Sequence, residues 1–310
     1  RRLAAMIYNM IGRKRCMTIC SESDYEKWEK LIQATLKHLI ERYGEKEVLT
    51  WPIEVWNEPN LTTFWKDADM EEYFKLYEVK AVAIKEVDEE IQVGGPAICG
   101  VDDERWLREF LKYVDSKNLP LDYVSRHHYT SYSPKMTGHY AYIDLHEPED
   151  AFGWLERSRD IVDSFDRFKG MEIFITEFNT SYVPNAPIHD TVLNAAYVAH
   201  MLSRLGDKHA SYSYWTFGDI FEEKGVPFTP FHGGFGMMAN RGIRKPTFYA
   251  FKFFKELQGQ CVLKSDNCVM CCKDGIYKGV AFNSRVQRTG EELDLKLEFE
   301  AKAAEYSLIK

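Results

Sequence analysis

Three segments of the sequence each end in polar residues that could take part in acid–base chemistry. Asn57 and Glu58 lie at the end of WPIEVWNEPN, His127 and Tyr129 at the end of LDYVSRHHYT, and Glu177 at the end of MEIFITEFN. A single carboxylate at a strand end is more often a helix cap or part of a surface ion pair. Two of them, each after an apolar segment with aromatic neighbours, predict a working pair of carboxyl groups.

A pair of carboxyl groups is what cleavage of a glycosidic bond requires. One carboxylic acid protonates the leaving oxygen, and one carboxylate attacks the sugar or activates water, because the transition state resembles an oxocarbenium ion. Aromatic rings near the same segment ends offer flat apolar faces for sugar rings, although we expect at least half of them to be core residues. These aromatic residues are Trp56, Phe64, Trp65, Tyr129, Trp215 and Phe217.

The segments that must position these residues alternate between strand and helix patterns. Strands are predicted over residues 48–56, 91–98, 121–129, 171–178 and 211–217. Helices are predicted over residues 23–43, 69–84, 103–117, 154–168 and 190–206, and a further helix opens at Pro246. This alternation predicts an α/β fold with a parallel sheet, of the (β/α)8 or TIM-barrel type, in which the strand ends meet at one face. A doubly wound sheet is disfavoured because no G-x-G-x-x-G turn follows an early strand.

Charge and composition exclude several other classes of function. The formal net charge is −8, which gives no basic surface for nucleic acid. The sequence contains no run of 18 apolar residues, so it predicts no membrane span. The chain has seven cysteines, an odd number, of which Cys261, Cys268, Cys271 and Cys272 lie near its C-terminal end. Their spacing does not favour a metal site, so we expect free thiols in a reducing cytoplasm.

Seven segments together resemble the glycoside hydrolases of family 39, and specifically their β-xylosidases. They are VWNEPNLTTFW, VGGPAICG, VSRHHYTS, FITEFNTSY, SYWTF followed by FEE, FHGGFG and KPTFYAFKFF. The resemblance extends roughly from Tyr25 to Leu257. The N-E-P motif alone occurs in many retaining barrel hydrolases, but all these segments in this order are specific.

The resemblance implies roles for individual residues. Glu58 matches the family's acid/base at the end of the fourth strand, and Glu177 matches its nucleophile at the end of the seventh. Asn57 matches the residue that hydrogen-bonds the sugar 2-hydroxyl. The residues that resemble the lining of the sugar-binding subsite are His127, Tyr129, Trp215 and Glu222. His128 should face away from His127 because neighbouring residues of a strand point to opposite faces.

The function implied is that of a retaining, exo-acting β-xylosidase that releases xylose from xylo-oligosaccharides without a cofactor or metal ion. A homo-oligomer is possible. One alternative is an α-L-iduronidase-like enzyme of the same family, although the segment FNTSYVP resembles the β-xylosidase form. Another is a sugar-binding relic or inactive fragment without turnover.

The strand positions implied by the resemblance suggest an incomplete barrel. If Glu58 closes the fourth strand, three βα units should precede it, yet only residues 1–22 precede the first predicted helix. We therefore expect residues 1–257 to form a (β/α)8-type barrel that lacks its first strands, with open sheet edges near Ile53 and Tyr214. Residues 258–310 should form a small, partial C-terminal β-domain.

One distance distinguishes a retaining from an inverting arrangement. If Glu58 and Glu177 act as proposed, their carboxyl groups should lie about 5 to 5.5 Å apart, whereas roughly 7 Å or more would indicate inversion. The distance between the carboxyl groups of Glu58 and Glu177 in the structure tests this prediction.

Overall fold

A computed structural model of the chain describes residues 22–219, 225, 227, 229–285 and 296. The helices are α1 (Glu22–Tyr43), α2 (Glu45–Val48), α3 (Met70–Val87), α4 (Asp103–Ser116), α5 (Pro148–Asp163), α6 (Val192–Ser203) and α7 (Pro246–Glu256). The first seven strands are β1 (Ile53–Glu54), β2 (Val93–Ile98), β3 (Tyr123–Tyr129), β4 (Lys135–Thr137), β5 (Tyr140–Tyr142), β6 (Ile173–Asn179) and β7 (Ser211–Tyr214). They are followed by β8 (Met238–Ala239), β9 (Ile243–Arg244), β10 (Gln260–Lys264), β11 (Cys268–Lys273) and β12 (Ile276–Ala281).

Five parallel strands form the main sheet in the order β1-β2-β3-β6-β7. The helices α3, α4, α5 and α6 connect successive strands of this sheet. The chain therefore has the βα alternation of a partial (β/α) barrel. The predicted fold class and the five predicted strands are confirmed, with β1 and β7 at the two edges of the described sheet. The expectation about strands before Tyr25 concerns residues 1–21, which lie outside the described part.

Helix boundaries follow from local signals in the sequence. Asp69 caps α3, where its carboxylate accepts a hydrogen bond from the Glu72 amide at 3.0 Å. Pro148 and Pro246 occupy the first positions of α5 and α7, where the missing amide hydrogen is no loss. Gly44 ends α1 with a φ of 88°, a conformation that glycine adopts without strain.

Two predicted boundaries are wrong. The predicted strand over residues 48–56 contains only two residues in strand conformation, because Val48 belongs to α2 and a turn follows it. The predicted helix over residues 154–168 begins six positions earlier, at Pro148, and ends at Asp163 before a short 3-10 turn. Propensity alone favoured a strand at Val48, whereas the packing of this buried valine against the core is compatible with either element.

The residues after α7 form a three-stranded antiparallel sheet in the order β10-β11-β12. Its inner face contributes Val269 and Val280 to a small core with Ala199 of α6 and Ala250 of α7. The predicted short C-terminal strands are thus present, while the division at residue 257 stays a prediction. No helix in the described residues is long and apolar enough to cross a membrane.

The main core lies between the sheet and its helices, with Tyr73, Tyr77, Phe110 and Tyr197 among its largest fully buried side chains. Inside the sheet, the ring of Tyr123 stacks on Phe174 with centroids 4.6 Å apart. This ring also lies against the backbone of Gly94, where an added Cβ would come within 2.4 Å of it. Only glycine therefore fits on β2 beside the aromatic pair.

We predict that Gly94→Ala destabilises the protein by about 1–3 kcal/mol, because the aromatic pair must move to admit a methyl group. Gly153→Ala is the matched control. Its Cβ would meet only the Arg157 side chain at 3.6 Å, and Ala favours the α5 helix by about 0.5–1 kcal/mol. Urea unfolding of both variants in the full-length gene product measures the difference. Equal free energies of unfolding for Gly94→Ala and Gly153→Ala would contradict the close contact between Gly94 and the Tyr123 ring.

Candidate active site

Three side chains predicted from the sequence meet at the C-terminal ends of the strands. The Nδ1 atom of His127 lies 2.8 Å from Oε1 of Glu58 and 3.4 Å from Oε2 of Glu177. One carboxylate oxygen of each glutamate and this imidazole nitrogen all lie within 4.8 Å of one another. This close approach of single atoms favours the retaining arrangement, while the separation of about 5 to 5.5 Å between the whole carboxyl groups stays a prediction.

A β-bulge brings Glu177 into this group. Strand β6 pairs with β3 so that Ile175 lies opposite Arg126 and Glu177 opposite His127, which leaves Thr176 as the extra residue. Because of this extra residue, the side chains of Thr176 and Glu177 both reach the interior, whereas strict alternation would separate them. The bulge thus places a carboxylate at the strand end without removing the hydroxyl below it.

The turn that carries Glu58 is held to the end of β2. The Glu58 amide donates to the Ala97 carbonyl at 2.9 Å. The side chain of Asn60 donates to the carbonyls of Cys99 and Val101 and accepts from the Cys99 amide, at 2.7 to 3.1 Å. Glu58 itself has a φ of 46°, an unfavourable region for a residue with a Cβ. The hydrogen bonds of this turn offset that strain and fix the carboxylate.

The electrostatics of the group depend on His127, which is fully buried. Burial lowers the pKa of His127, but the charges of Glu177 and Glu58 outweigh it and raise the pKa to about 9. Burial raises the pKa of Glu177 to about 7, with Glu58 adding to this effect and His127 opposing it. At neutral pH the imidazole is therefore a cation, and the Glu177 carboxyl group is close to half protonated.

Tyr129 and Asn57 complete the inner part of the site. The Tyr129 hydroxyl donates to Oε2 of Glu177 at 2.8 Å. The Asn57 side-chain oxygen is buried and has no hydrogen-bond partner among the described residues. Nε2 of His127 is likewise buried and unpartnered within the described part of the chain. A buried polar atom without a partner is costly, so these two atoms are suited to bind hydroxyl groups of a ligand.

The other predicted site residues have different outcomes. Trp215 follows β7 and is tied to the catalytic strand, since its amide donates to the Phe178 carbonyl at 3.0 Å and its carbonyl accepts from Asn179 at 2.7 Å. Glu222 lies outside the described residues. His128 faces away from the site as predicted, because its ring lies 6.2 Å from that of Trp154 on α5.

Of the six aromatic residues named from the sequence, Trp56 and Trp65 pack with the core, which is fewer than the half or more that was expected. Trp65 is buried and packs against Trp56 and Tyr73 in the core. Phe64 and Phe217 are exposed.

The same three side chains could also hold a metal ion, as Glu58, His127 and Glu177 form the one such group found among the described residues. Their closeness already follows from one imidazole that contacts two carboxylates. A pair of carboxyl groups can also cleave a glycosidic bond without a metal ion. The absence of a metal requirement stays a prediction.

Sequence reasoning missed a buried cluster next to Trp215. Lys245 is fully buried, and its ammonium lies 2.6 Å from Asp190 and 2.5 Å from Asp219. It also donates to the Gly234 carbonyl at 2.9 Å. Asp219 in turn accepts from the Gly236 amide at 2.6 Å, and an added Cβ at Gly234 or Gly236 would collide with Asp219. The close approach of the backbone to Asp219 therefore explains two glycines of the motif FHGGFG, Gly234 and Gly236.

Comparison with known proteins identifies the family of the chain. The profile described as "Glycosyl hydrolases family 39" matches residues 16–275. A β-xylosidase of Geobacillus stearothermophilus is 50% identical over 274 residues, which cover 87% of this chain and 54% of the relative. A β-xylosidase of Caldicellulosiruptor saccharolyticus is 38% identical over 246 residues, which cover 78% of this chain and 48% of the relative. The solved structure of a monomeric β-xylosidase from Caulobacter crescentus CB15 superposes with a TM-score of 0.77 at 39% identity, covering 83% of this chain and 52% of that one.

Parallel βα units with two carboxylates at their strand ends define a barrel of the glycoside hydrolase class. The chain belongs to glycosyl hydrolase family 39, as the resemblance of its motifs predicted. It spans about half the length of the curated relatives it matches.

We predict that Tyr129→Phe raises the pKa of Glu177 from about 7 to about 8, because the carboxylate loses a hydrogen bond worth about 1 kcal/mol to its charged form. The ¹³Cδ chemical shift of Glu177 as a function of pH measures this change. Tyr249→Phe removes an exposed hydroxyl on α7 and serves as the control. An unchanged or lowered pKa in Tyr129→Phe would contradict the hydrogen bond.

We also predict that Lys245→Met destabilises the protein by about 3–5 kcal/mol, because it leaves two aspartates together without their cation. Lys278→Met is the control, since it breaks the exposed ion pair with Glu256 and should change stability by about 1 kcal/mol or less. Urea unfolding compares the two variants. A loss at Lys245 no larger than at Lys278 would show that the cluster does not hold the glycine segment.

Proposed function

We propose that the protein is a retaining β-xylosidase that releases xylose from the non-reducing ends of xylo-oligosaccharides. The observation that carries this proposal is the pair of carboxylates, Glu58 and Glu177, within 4.8 Å of one another on either side of His127. That separation leaves room for a sugar carbon between them but not for an additional water, as the double-displacement mechanism requires.

In the first step, the Glu177 carboxylate attacks the anomeric carbon while Glu58 donates its proton to the leaving glycosidic oxygen. The reaction needs one proton on the pair at neutral pH, and the raised pKa of Glu177, about 7, provides it in the free protein. When the substrate is in place, this proton must lie on Glu58, because only an ionised Glu177 is a nucleophile. The Tyr129 hydroxyl supports that state, since it donates to the Glu177 carboxylate.

In the second step, Glu58 takes a proton from water, and the resulting hydroxide displaces Glu177 from the sugar. Two inversions at the anomeric carbon return the β configuration. The His127 ring, with its Nδ1 atom 2.8 Å from Oε1 of Glu58, holds this carboxylate in position during the step.

Sugar recognition is assigned to the unpartnered polar atoms around the pair. Asn57 Oδ1 accepts from a sugar hydroxyl, which by family resemblance is the 2-hydroxyl, and Nε2 of His127 contacts another. Trp215 and Glu222 complete the subsite in this proposal. A xylose specificity is supported by the two relatives described as β-xylosidases and by the segment FNTSYVP after Glu177.

Two parts of the proposal concern the setting of the enzyme. A cytoplasmic location is supported by the free thiols of the five described cysteines, since disulfides are rare in reducing compartments. Assembly into a homo-oligomer has no specific support, and the Caulobacter crescentus relative is described as monomeric.

We predict different losses from the two glutamates. Glu177→Ala should abolish turnover of aryl β-xylosides. Glu58→Ala should still form the glycosyl-enzyme from substrates with good leaving groups, because only poor leaving groups need protonation. Sodium azide should then rescue Glu58→Ala and give a β-xylosyl azide, whose anomeric configuration is measured by NMR.

The full-length gene product is the protein to test. An α-xylosyl azide from Glu58→Ala would reverse the two roles. Absence of activity on 4-nitrophenyl β-xyloside would support the relic, whereas hydrolysis of an aryl α-L-iduronide instead would support the iduronidase-like alternative.

A further inference from the structure

The pairing between β6 and β7 ends in a hydrogen bond that passes through a side chain. The last direct backbone contact is made by the Trp215 amide, which donates to the Phe178 carbonyl at 3.0 Å. In a parallel ladder the next hydrogen bond would join the Thr180 amide to the Trp215 carbonyl. Instead, Nδ2 of Asn179 donates to the Trp215 carbonyl at 2.7 Å, and its Oδ1 accepts from the Thr180 amide at 2.7 Å. One carboxamide therefore bridges the two strands where Trp215 leaves β7.

The same carboxamide is connected to the glycine-rich segment. Nδ2 of Asn179 also lies 3.4 Å from the Phe235 carbonyl, which accepts from the Thr216 amide at 3.3 Å. Phe235 belongs to the motif FHGGFG, and the next residue, Gly236, donates its amide to Asp219. Asn179 thus joins the end of β6 to both backbone segments that adjoin the Trp215 position.

This position requires a side chain that both donates and accepts. A carboxamide offers an N–H to the Trp215 carbonyl and an oxygen to the Thr180 amide. An ionised carboxylate has nearly the same shape, but it can only accept, and it would place negative charge against two carbonyl oxygens. A protonated carboxyl group regains one donor. Asn179 is only 2% exposed, so loss of its donor leaves a carbonyl that water cannot readily reach.

Trp215 is half-buried, so part of this residue is open to a ligand. Asn179 lies two positions after Glu177, and the proposed mechanism gives it no role. We propose that Asn179 is a positioning residue that acts through Trp215. Its carboxamide sets the distance between the strand of Glu177 and the Trp215 backbone, and so fixes the Trp215 ring in the sugar subsite. This inference rests on the proposed function, in which Trp215 lines that subsite.

The first test is Asn179→Asp in the full-length gene product. At about pH 7.5 the introduced carboxylate cannot donate to Trp215, so KM for 4-nitrophenyl β-xyloside should rise about tenfold while kcat falls less than about threefold. Burial and the facing carbonyl oxygens raise the pKa of the introduced carboxyl, so it should be protonated by about pH 5. The ratio of variant KM to wild-type KM should therefore return towards one at this pH. A ratio that stays constant with pH would overturn the proposal.

The environment of the Trp215 ring can be measured without turnover. In protein labelled with 5-fluorotryptophan, the ¹⁹F resonance that is missing from Trp215→Phe belongs to Trp215. This resonance should shift in Asn179→Asp at about pH 7.5 and return towards its wild-type position at about pH 5. Asn179→Ala should shift it at both pH values, because alanine has no group to protonate. If Asn179→Asp fails to fold, a raised KM and a shifted resonance in Asn179→Ala are the expected results.

Asn185→Asp is the matched control. Asn185 is 3% exposed, and its Nδ2 donates to the His139 carbonyl in the turn between β4 and β5. The substitution also places a carboxylate against a buried backbone carbonyl, but it leaves the bridge to Trp215 intact. KM and the Trp215 resonance should therefore stay close to their wild-type values. An equal change in Asn185→Asp would show a general effect of a buried charge and would overturn the proposal.

A double-mutant cycle tests whether Asn179 acts through Trp215. Adding Asn179→Ala to Trp215→Ala should raise KM by less than about twofold, because the ring that Asn179 positions is already absent. An additional rise as large as that in the wild-type background would contradict the proposal. If the wild-type protein hydrolyses no β-xyloside, the proposed function fails, while the ¹⁹F spectra still test Asn179. An unchanged Trp215 resonance in both Asn179 variants would overturn the inference whatever the activity.

Discussion

The structure depends on the burial of three carboxylates around one imidazole. Glu54, Glu58 and Glu177 are each less than a tenth exposed, and His127 is fully buried among them. Isolated ions in such a place are strongly unfavourable, so each carboxylate needs a hydrogen-bond donor or a countercharge, and the imidazolium needs carboxylates. The hydroxyls of Ser125, Thr176 and Tyr129 supply the donors. The positions of the strands then follow from what this group requires.

This requirement also explains the irregular backbone near the site. The positive φ of Glu58 and the extra residue at Thr176 are both unfavourable or disruptive locally. The positive φ directs the Glu58 side chain into the interior, and the extra residue does the same for Glu177. In regular geometry, these side chains would point elsewhere. The hydrogen bonds of Asn60 and the close pairing of β3 with β6 hold these irregularities in place.

The sequence predicted which candidate site residues come together, but it did not predict the residues that support them. Glu58, His127 and Glu177 follow apolar strands, and parallel strands bring such ends together. The buried position of Glu54 does not follow from the sequence pattern, because its charge lies within a segment that reads as an apolar strand. The Lys245 cluster was not predictable, because Asp190, Asp219 and Lys245 are separated along the chain and meet only through tertiary packing.

Register shifts occur in three neighbouring strand pairs, near Pro96 in β2 and β3, near His127 in β3 and β6, and between Ile175 and Phe178 in β6 and β7. All three lie towards the C-terminal ends of the strands. A bulge adds one unpaired residue, so the strand pairing continues above it in a shifted register. The regular part of the sheet, which we call the foundation, lies before these register shifts, and the strand ends after them form the rim. Insertions and substitutions in the rim can change which sugar is accepted while the foundation continues to fold, and this separation gives natural selection a means to diversify specificity within one family.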